Sequence, residues 1–166
     1  MQPPSESTRF EEAGRFVEYV GTGKLRDKKV LITGGDSGIG RSVAVLMARE
    51  GADITIVYLP EEQVDADDTK KMIENEKRQC HLFAGNLAER ETCRKAVEAH
   101  MKTFGRLNVL VNNASKQYMV KDFADTDLDK TEDIFRCNIL QMIAVTKFAL
   151  PHLNKGDSSV ITVAEL

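Results

Sequence analysis

A chain of 166 residues with 42% hydrophobic content is about the size of one domain and can bury a sizeable core. Its 23 basic and 26 acidic residues leave a formal charge of −3, which offers no electrostatic footprint for nucleic acid or an anionic membrane surface. Three widely spaced cysteines without a C-x-x-C pair (Cys80, Cys93, Cys137) suggest neither a disulfide framework nor a zinc site, and no apolar run is long enough for a signal peptide or membrane span, so a soluble, cytoplasmic protein is expected.

Residues 1–27 carry Pro3, Pro4 and several Ser, Thr and Gly without a sustained helical or alternating pattern, and read as an extended or mobile arm. Gly23-Lys24 inside it fails as a P-loop, because Glu18 stands five residues before the glycine and Leu25 follows the lysine. From Lys28 short apolar runs alternate with longer amphipathic ones, the pattern of βαβ units in an α/β domain spanning 28–166. Val30-Leu31-Ile32 is the first strand, Gly38 to about Glu50 the first helix, and Ile54–Val57 the second strand after a Gly51-Ala52-Asp53 turn. A charged helix from Glu61 to about Lys77 presents a solvated face. His81-Leu82-Phe83, Glu89 to Phe104, and Val109-Leu110-Val111 are strand, helix and strand. A long helix from about Asp129 to His152 stops near Pro151 and Gly156, and Ser159–Val163 is the last strand.

The chemistry-bearing segment is Thr33-Gly34-Gly35-Asp36-Ser37-Gly38-Ile39-Gly40, between the first strand and the first helix. Glycines at these places let the backbone turn sharply and approach a pyrophosphate, whose charge meets the free N–H groups and positive dipole of the helix start. Asn112-Asn113-Ala114-Ser115 follows the fourth strand, Asn86-Leu87 the third, and Asn138 lies within the long helix. Taken singly, Asn112, Asn113 and Asn138 also read as polar residues that satisfy buried backbone groups.

With its T-G-x-x-x-G-x-G spacing the sequence resembles the short-chain dehydrogenase/reductase family. The resemblance implies a three-layer, Rossmann-like parallel sheet of five strands in the order 3-2-1-4-5, with helices on both faces and incomplete at the C-terminus. It implies cofactor contacts at Thr33, Gly34, Asp36, Ser37, Gly38, Ile39, Gly40, Arg41, Tyr58, Asn86, Leu87, Asn112 and Ala114. Asn112-Asn113-Ala114-Ser115 looks like the family's N-N-A-G segment, Asn86-Leu87 takes the place of its Asp-Leu pair, and Asn138 matches the helix asparagine that holds a proton-relay water. Gly21-Thr22-Gly23-Lys24-Leu25, Tyr58-Leu59-Pro60-Glu61-Glu62 and Ala149-Leu150-Pro151-His152-Leu153 are similar to stress-type reductases with an N-terminal extension.

An acidic residue about 20 positions after the glycine turn would bind the ribose 2′-hydroxyl of NAD, and here Tyr58 and Leu59 hold that place. NADP(H) is therefore expected over NAD(H), bound weakly or not at all. Arg41 either helps accept the 2′-phosphate or is an ordinary exposed helix residue. The family reduces carbonyls with a tyrosine acid, a lysine four residues later and a serine. Tyr19, Tyr58 and Tyr118 are followed four places on by Gly23, Glu62 and Asp122, and Glu165 stands near the serine's place. The reading is a truncated oxidoreductase by descent in which Asn138 is the remnant of the catalytic tetrad. A non-redox isomerase or cyclase reusing the cleft for a small-molecule substrate, through Asn112, Ser115, Tyr118, Asn138 or Glu165, and a regulatory pseudoenzyme are the alternatives.

On the long helix Phe135, Ile139, Met142 and Thr146 fall along one stripe and Leu140, Ile143, Ala144 and Phe148 along another, more apolar surface than one face can bury. This predicts a homodimer through the 129–152 helix or pairing with a full-length relative. The competing expectation is that the arm folds back over the second stripe through Phe10, Phe16 and Val17.

Overall fold

A computed structural model describes residues 8–12, 14–154 and 156–163. Strands β3 (Lys29–Thr33), β4 (Asp53–Tyr58), β5 (Cys80–Ala84), β6 (Val109–Asn112) and β7 (Ser159–Thr162) form one parallel sheet in the order β5-β4-β3-β6-β7. Counted within this sheet, that is the order 3-2-1-4-5. All six residues of β4 are buried, as a central parallel strand covered on both faces requires.

The helices cover the two faces by simple spacing. In α1 (Gly38–Arg49) Gly40, Ala44, Val45 and Ala48 are buried, and in α2 (Gln63–Asn75) Ala66, Thr69 and Ile73; Ala44, Ala48, Ala66 and Ile73 pack with Val30, Ile32, Ile54 and Ile56. On the opposite face Cys93, Ala96 and Val97 of α3 (Arg90–Phe104) pack with Leu31, Val57 and Leu110, the residues of opposite parity on the strands. Gly105 ends α3 in the left-handed conformation, with φ 74°.

The long helix has internal structure that its sequence did not announce. It runs as α4 (Leu128–Phe135), a π-turn (Arg136–Leu140), α5 (Gln141–Ala149) and a closing 3-10 turn (Leu150–His152). Asp127 caps α4 by accepting from the Asp129 and Lys130 amides. The buried line on α5 is Gln141, Val145 and Ala149, while Phe135, Ile139, Leu140 and Ile143 are exposed.

Within residues 1–27, expected as an extended or mobile arm, the described residues include two short strands. Strands β1 (Arg9–Glu12) and β2 (Arg15–Glu18) form an antiparallel hairpin, turned with help from Gly14 at φ 76°. The segment after it is tied to the C-terminal end of α1. Glu50 accepts from the Tyr19 hydroxyl and from the amides of Thr22 (3.1 Å) and Lys24 (2.8 Å), and Arg49 pairs with Glu18 at 2.6 Å. At Gly21 a Cβ would stand 2.1 Å from the Arg49 carbonyl oxygen, so only glycine permits this approach. The arm therefore docks on α1, and Phe16 and Val17 stay exposed instead of covering the second stripe of the long helix. The Phe10 side chain and Glu165 lie outside the described residues.

Candidate nucleotide-binding site

In the parallel sheet the chain winds outward from β3 through β4 to β5, then returns to place β6 on the other side of β3. This switch point opens a crevice beyond the carboxyl ends of the strands, the place where such sheets bind ligands. A cleft of about 470 Å³ lies there, and its lining runs from Gly34, Asp36, Ser37, Gly38 and Ile39 past Tyr58 and Glu62 to Asn86, Leu87 and Ala114. Nine of the expected cofactor residues are thus brought together: Gly34, Asp36, Ser37, Gly38, Ile39, Tyr58, Asn86, Leu87 and Ala114.

The turn is held from beneath. Asn113 donates through Nδ2 to the carbonyls of Thr33 (3.2 Å) and Gly34 (2.8 Å), while the Thr33 hydroxyl accepts from the amides of Asn113 and Ala114, each at 3.0 Å. Gly34 and Gly38 have φ values of 63° and 51°, in the region glycine alone enters cheaply. A Cβ on Gly40 would stand 1.9 Å from the Gly34 carbonyl oxygen, whereas one on Gly38 would meet nothing within 4 Å. Gly40 thus seals the turn against the helix, and Gly38 faces the open cleft. Ser37, Gly38 and Ile39 are exposed at the start of α1, where backbone N–H groups lack helical partners. The geometry suits an anionic ligand laid against this helix start.

Five expected residues are placed outside the lining: Thr33, Gly40, Arg41, Asn112 and Asn138. Thr33 and Gly40 build the turn. Arg41, expected either to help accept a 2′-phosphate or to be an ordinary helix residue, has its partners within the protein. Its guanidinium donates to the Asp36 carbonyl and the Thr69 hydroxyl, both at 2.8 Å, and to the Asp65 carboxylate at 2.9 Å, which turns it onto α2. Asn112 is buried and donates to the Thr146 hydroxyl at 3.0 Å, so it ties β6 to α5. Asn138 lies in the π-turn and brackets Lys116, donating to its carbonyl at 2.9 Å and accepting from its amide at 2.8 Å.

Several lining residues escaped the sequence. Gln141 is 2% exposed and donates to the Ala114 carbonyl at 3.1 Å; a polar residue in line with Val145 and Ala149 was the available signal. Lys116 reaches the cleft paired with Asp133 at 2.6 Å, and the Tyr118 hydroxyl donates to the same carboxylate at 3.3 Å. That pairing raises the Lys116 pKa and lowers that of Asp133. Burial raises the Cys137 thiol's pKa, and the Asp133 charge adds to it. On the opposite wall burial raises the pKa of the Glu62 carboxyl, and the neighbouring Asp36 charge pushes the same way.

Residues 28–164 match the family model described as short chain dehydrogenase. The chain belongs to the short-chain dehydrogenase family. It is 44% identical over 147 residues to the uncharacterized oxidoreductase YhdF of Bacillus subtilis, covering 89% of this chain and 50% of that protein. General stress protein 39 of the same organism is 42% identical over 149 residues, covering 90% and 52%. A short chain dehydrogenase from Burkholderia cenocepacia, solved in complex with NADP, superposes with a TM-score of 0.78 at 29% identity, covering 84% of this chain and 56% of that one. The related NADH-dependent reductase A1-R′ has been solved with NAD. The chain spans about half the length of the relatives it matches. Among the described residues no helix is long and apolar enough to cross a membrane.

Proposed function

We propose that this chain is the dinucleotide-binding half of a short-chain dehydrogenase, holding NAD(H) or NADP(H) in the switch-point cleft and reducing few or no carbonyls unaided. The observation that carries this reading is Gly38, which opens onto the cleft at the exposed start of α1 while Gly34 and Gly40 lock the turn. A pyrophosphate fits there against backbone N–H groups, with Leu87 and Asn86 toward the adenine and Ala114 toward the nicotinamide end. When bound, the nicotinamide supplies or accepts a hydride. The chain's own part is to bind and orient: Asn113 fixes the turn, and Asn138 and Gln141 fix the backbone at Lys116 and Ala114. The preference for NADP(H) expected from the sequence loses its cation, because Arg41 is engaged by α2.

Within these 166 residues none of the tyrosines has a lysine four residues on to pair with as a proton donor. Loss of such a donor alone costs roughly 10²–10⁴ in rate. Calorimetric titration of the folded chain with NADPH and NADH tests the binding, and absence of both at millimolar concentration would count against it. Purified protein is expected not to oxidise NADPH with simple aldehydes or ketones at rates typical of the family. Robust turnover abolished by Tyr118→Phe would reveal a substitute acid.

The exposed residues Phe135, Ile139, Leu140 and Ile143 favour a companion reading, pairing through the long helix with another copy or a longer relative.

A further inference from the structure

A second cavity, of about 520 Å³, opens between the start of α3 and the π-turn and α5. Leu87, Leu140, Ile143, Ala144 and Phe148 give it an apolar lining, Arg90, Arg136 and Lys147 give it charge, and no carboxylate stands among its described lining residues. Gln141 belongs to this groove and to the nucleotide cleft alike. It is 2% exposed, its Nε2 donates to the Ala114 carbonyl, and its Oε1 has no hydrogen-bond partner among the described residues. A buried acceptor left without a donor is costly, and a ligand that brings an N–H or O–H to it removes the cost.

The charges narrow the ligand further. Arg90 and Lys147 form no ion pair among the described residues, and Arg136 has only an exposed pairing with Glu132 at 3.0 Å, of a class that contributes little in water. The acids flanking Arg90 are turned to α3 itself: Glu91 pairs with Arg94, and Glu89 accepts from the Thr92 hydroxyl at 3.3 Å. A carboxylate head is therefore matched by guanidinium groups, which bind it through parallel hydrogen bonds. Leu140, Ala144 and Phe148 recur at four-residue steps and form one apolar stripe, beside which Lys147 lays an apolar stem. Along the helix the order is cation at Arg136, acceptor at Gln141, then apolar stripe through Ala144 to Phe148.

We propose that this groove binds an N-acyl amino acid, with the carboxylate on Arg90 and Arg136, the amide N–H on Gln141 Oε1 and the acyl chain along Leu140, Ala144 and Phe148. A second copy docked through Leu140 and Ile143 covers the same surface, so ligand and self-pairing compete. The test is calorimetry of the intact chain with N-dodecanoylglycine below its micelle concentration, with light scattering on the same samples. Binding of one equivalent per chain is expected, with loss of any dimer as the groove fills. Two analogues probe the wild type: N-dodecanoylsarcosine lacks the amide N–H, N-dodecanoylglycinamide lacks the charge, and each is expected to bind about tenfold more weakly. Arg90→Gln and Arg136→Gln, folded by circular dichroism, are expected to weaken N-dodecanoylglycine by a similar factor; both residues line the groove and neither lines the cleft, so the effect separates the two sites. Uptake of several equivalents that neither the analogues nor the variants alter is general detergent binding and overturns the proposal. Absence of binding overturns it too, and a dimer that N-dodecanoylglycine leaves intact assigns the groove to the second copy instead. The analogues on the wild type decide the matter should a variant fail to fold.

Discussion

A methyl group added at Gly40 would stand 1.9 Å from the Gly34 carbonyl oxygen and 2.5 Å from Asn113 Nδ2, so the turn and the helix must separate to admit it. Gly40→Ala is therefore expected to abolish measurable dinucleotide binding and to destabilise the fold by about 1–3 kcal/mol, read from urea unfolding. Gly38→Ala differs: space is open there, and the strain comes from φ 51° and from the methyl group entering the cleft. It is expected to leave most of the stability and to lose binding; equal loss of stability in both variants would contradict the division of labour between the glycines. The motif announced all three glycines, but not which one faces the ligand. Asp36 was legible as a motif position, and its burial without a partner for Oδ1 among the described residues was not, because that depends on where α2 and the 59–62 segment lie.

The hairpin β1–β2 illustrates what a short element conceals at the level of pattern. Its strands have four residues each, and what anchors the segment is Glu50 and Arg49 at the far end of α1 rather than an apolar stripe of its own. Hydrogen bonds from Tyr19, and then from the Lys24 amide, hold the Glu50 carboxyl at about 2, below its ordinary 4.5. Glu50→Gln removes the charge but keeps the size, and is expected to speed tryptic cleavage at Arg15 and Lys24 severalfold without altering dinucleotide binding at the opposite end of α1. Unchanged cleavage would show that the carboxylate does not hold the arm. The strands β3 and β4 were plain in the sequence because a parallel strand buried on both faces reads as an unbroken apolar run. The π-turn at Arg136–Leu140 was hidden, since one extra residue in a helical turn leaves the apolar composition unchanged.

Across the whole molecule the sheet separates two apolar layers, and the one beneath α3 contains His100, fully buried and shared between Thr55 (2.8 Å) and the Arg106 carbonyl (3.0 Å). Burial lowers its pKa from the ordinary 6.5 to about 4. Above pH 6.5 neither the folded nor the unfolded chain carries this proton, and the stability is complete. As pH falls from 6.5 toward 4 only the unfolded chain gains it, so stability declines, by roughly 3 kcal/mol at pH 4 for this group. Urea midpoints should fall across that window, more steeply in the wild type than in His100→Gln; parallel slopes would remove His100 as the cause. The other face of the long helix leaves Phe135 59% and Ile143 61% exposed, and light scattering is expected to find a dimer that Ile143→Glu converts to a monomer. A wild-type monomer that stays monodisperse would rule out self-pairing. The most direct test of the nucleotide-binding account is a ¹H–¹⁵N spectrum of the chain titrated with NADH. The amides of Ser37, Gly38, Ile39 and Gly40 are predicted to shift first and most, with Asn86 and Ala114 following; shifts confined to other surfaces, or none at millimolar NADH, would contradict it.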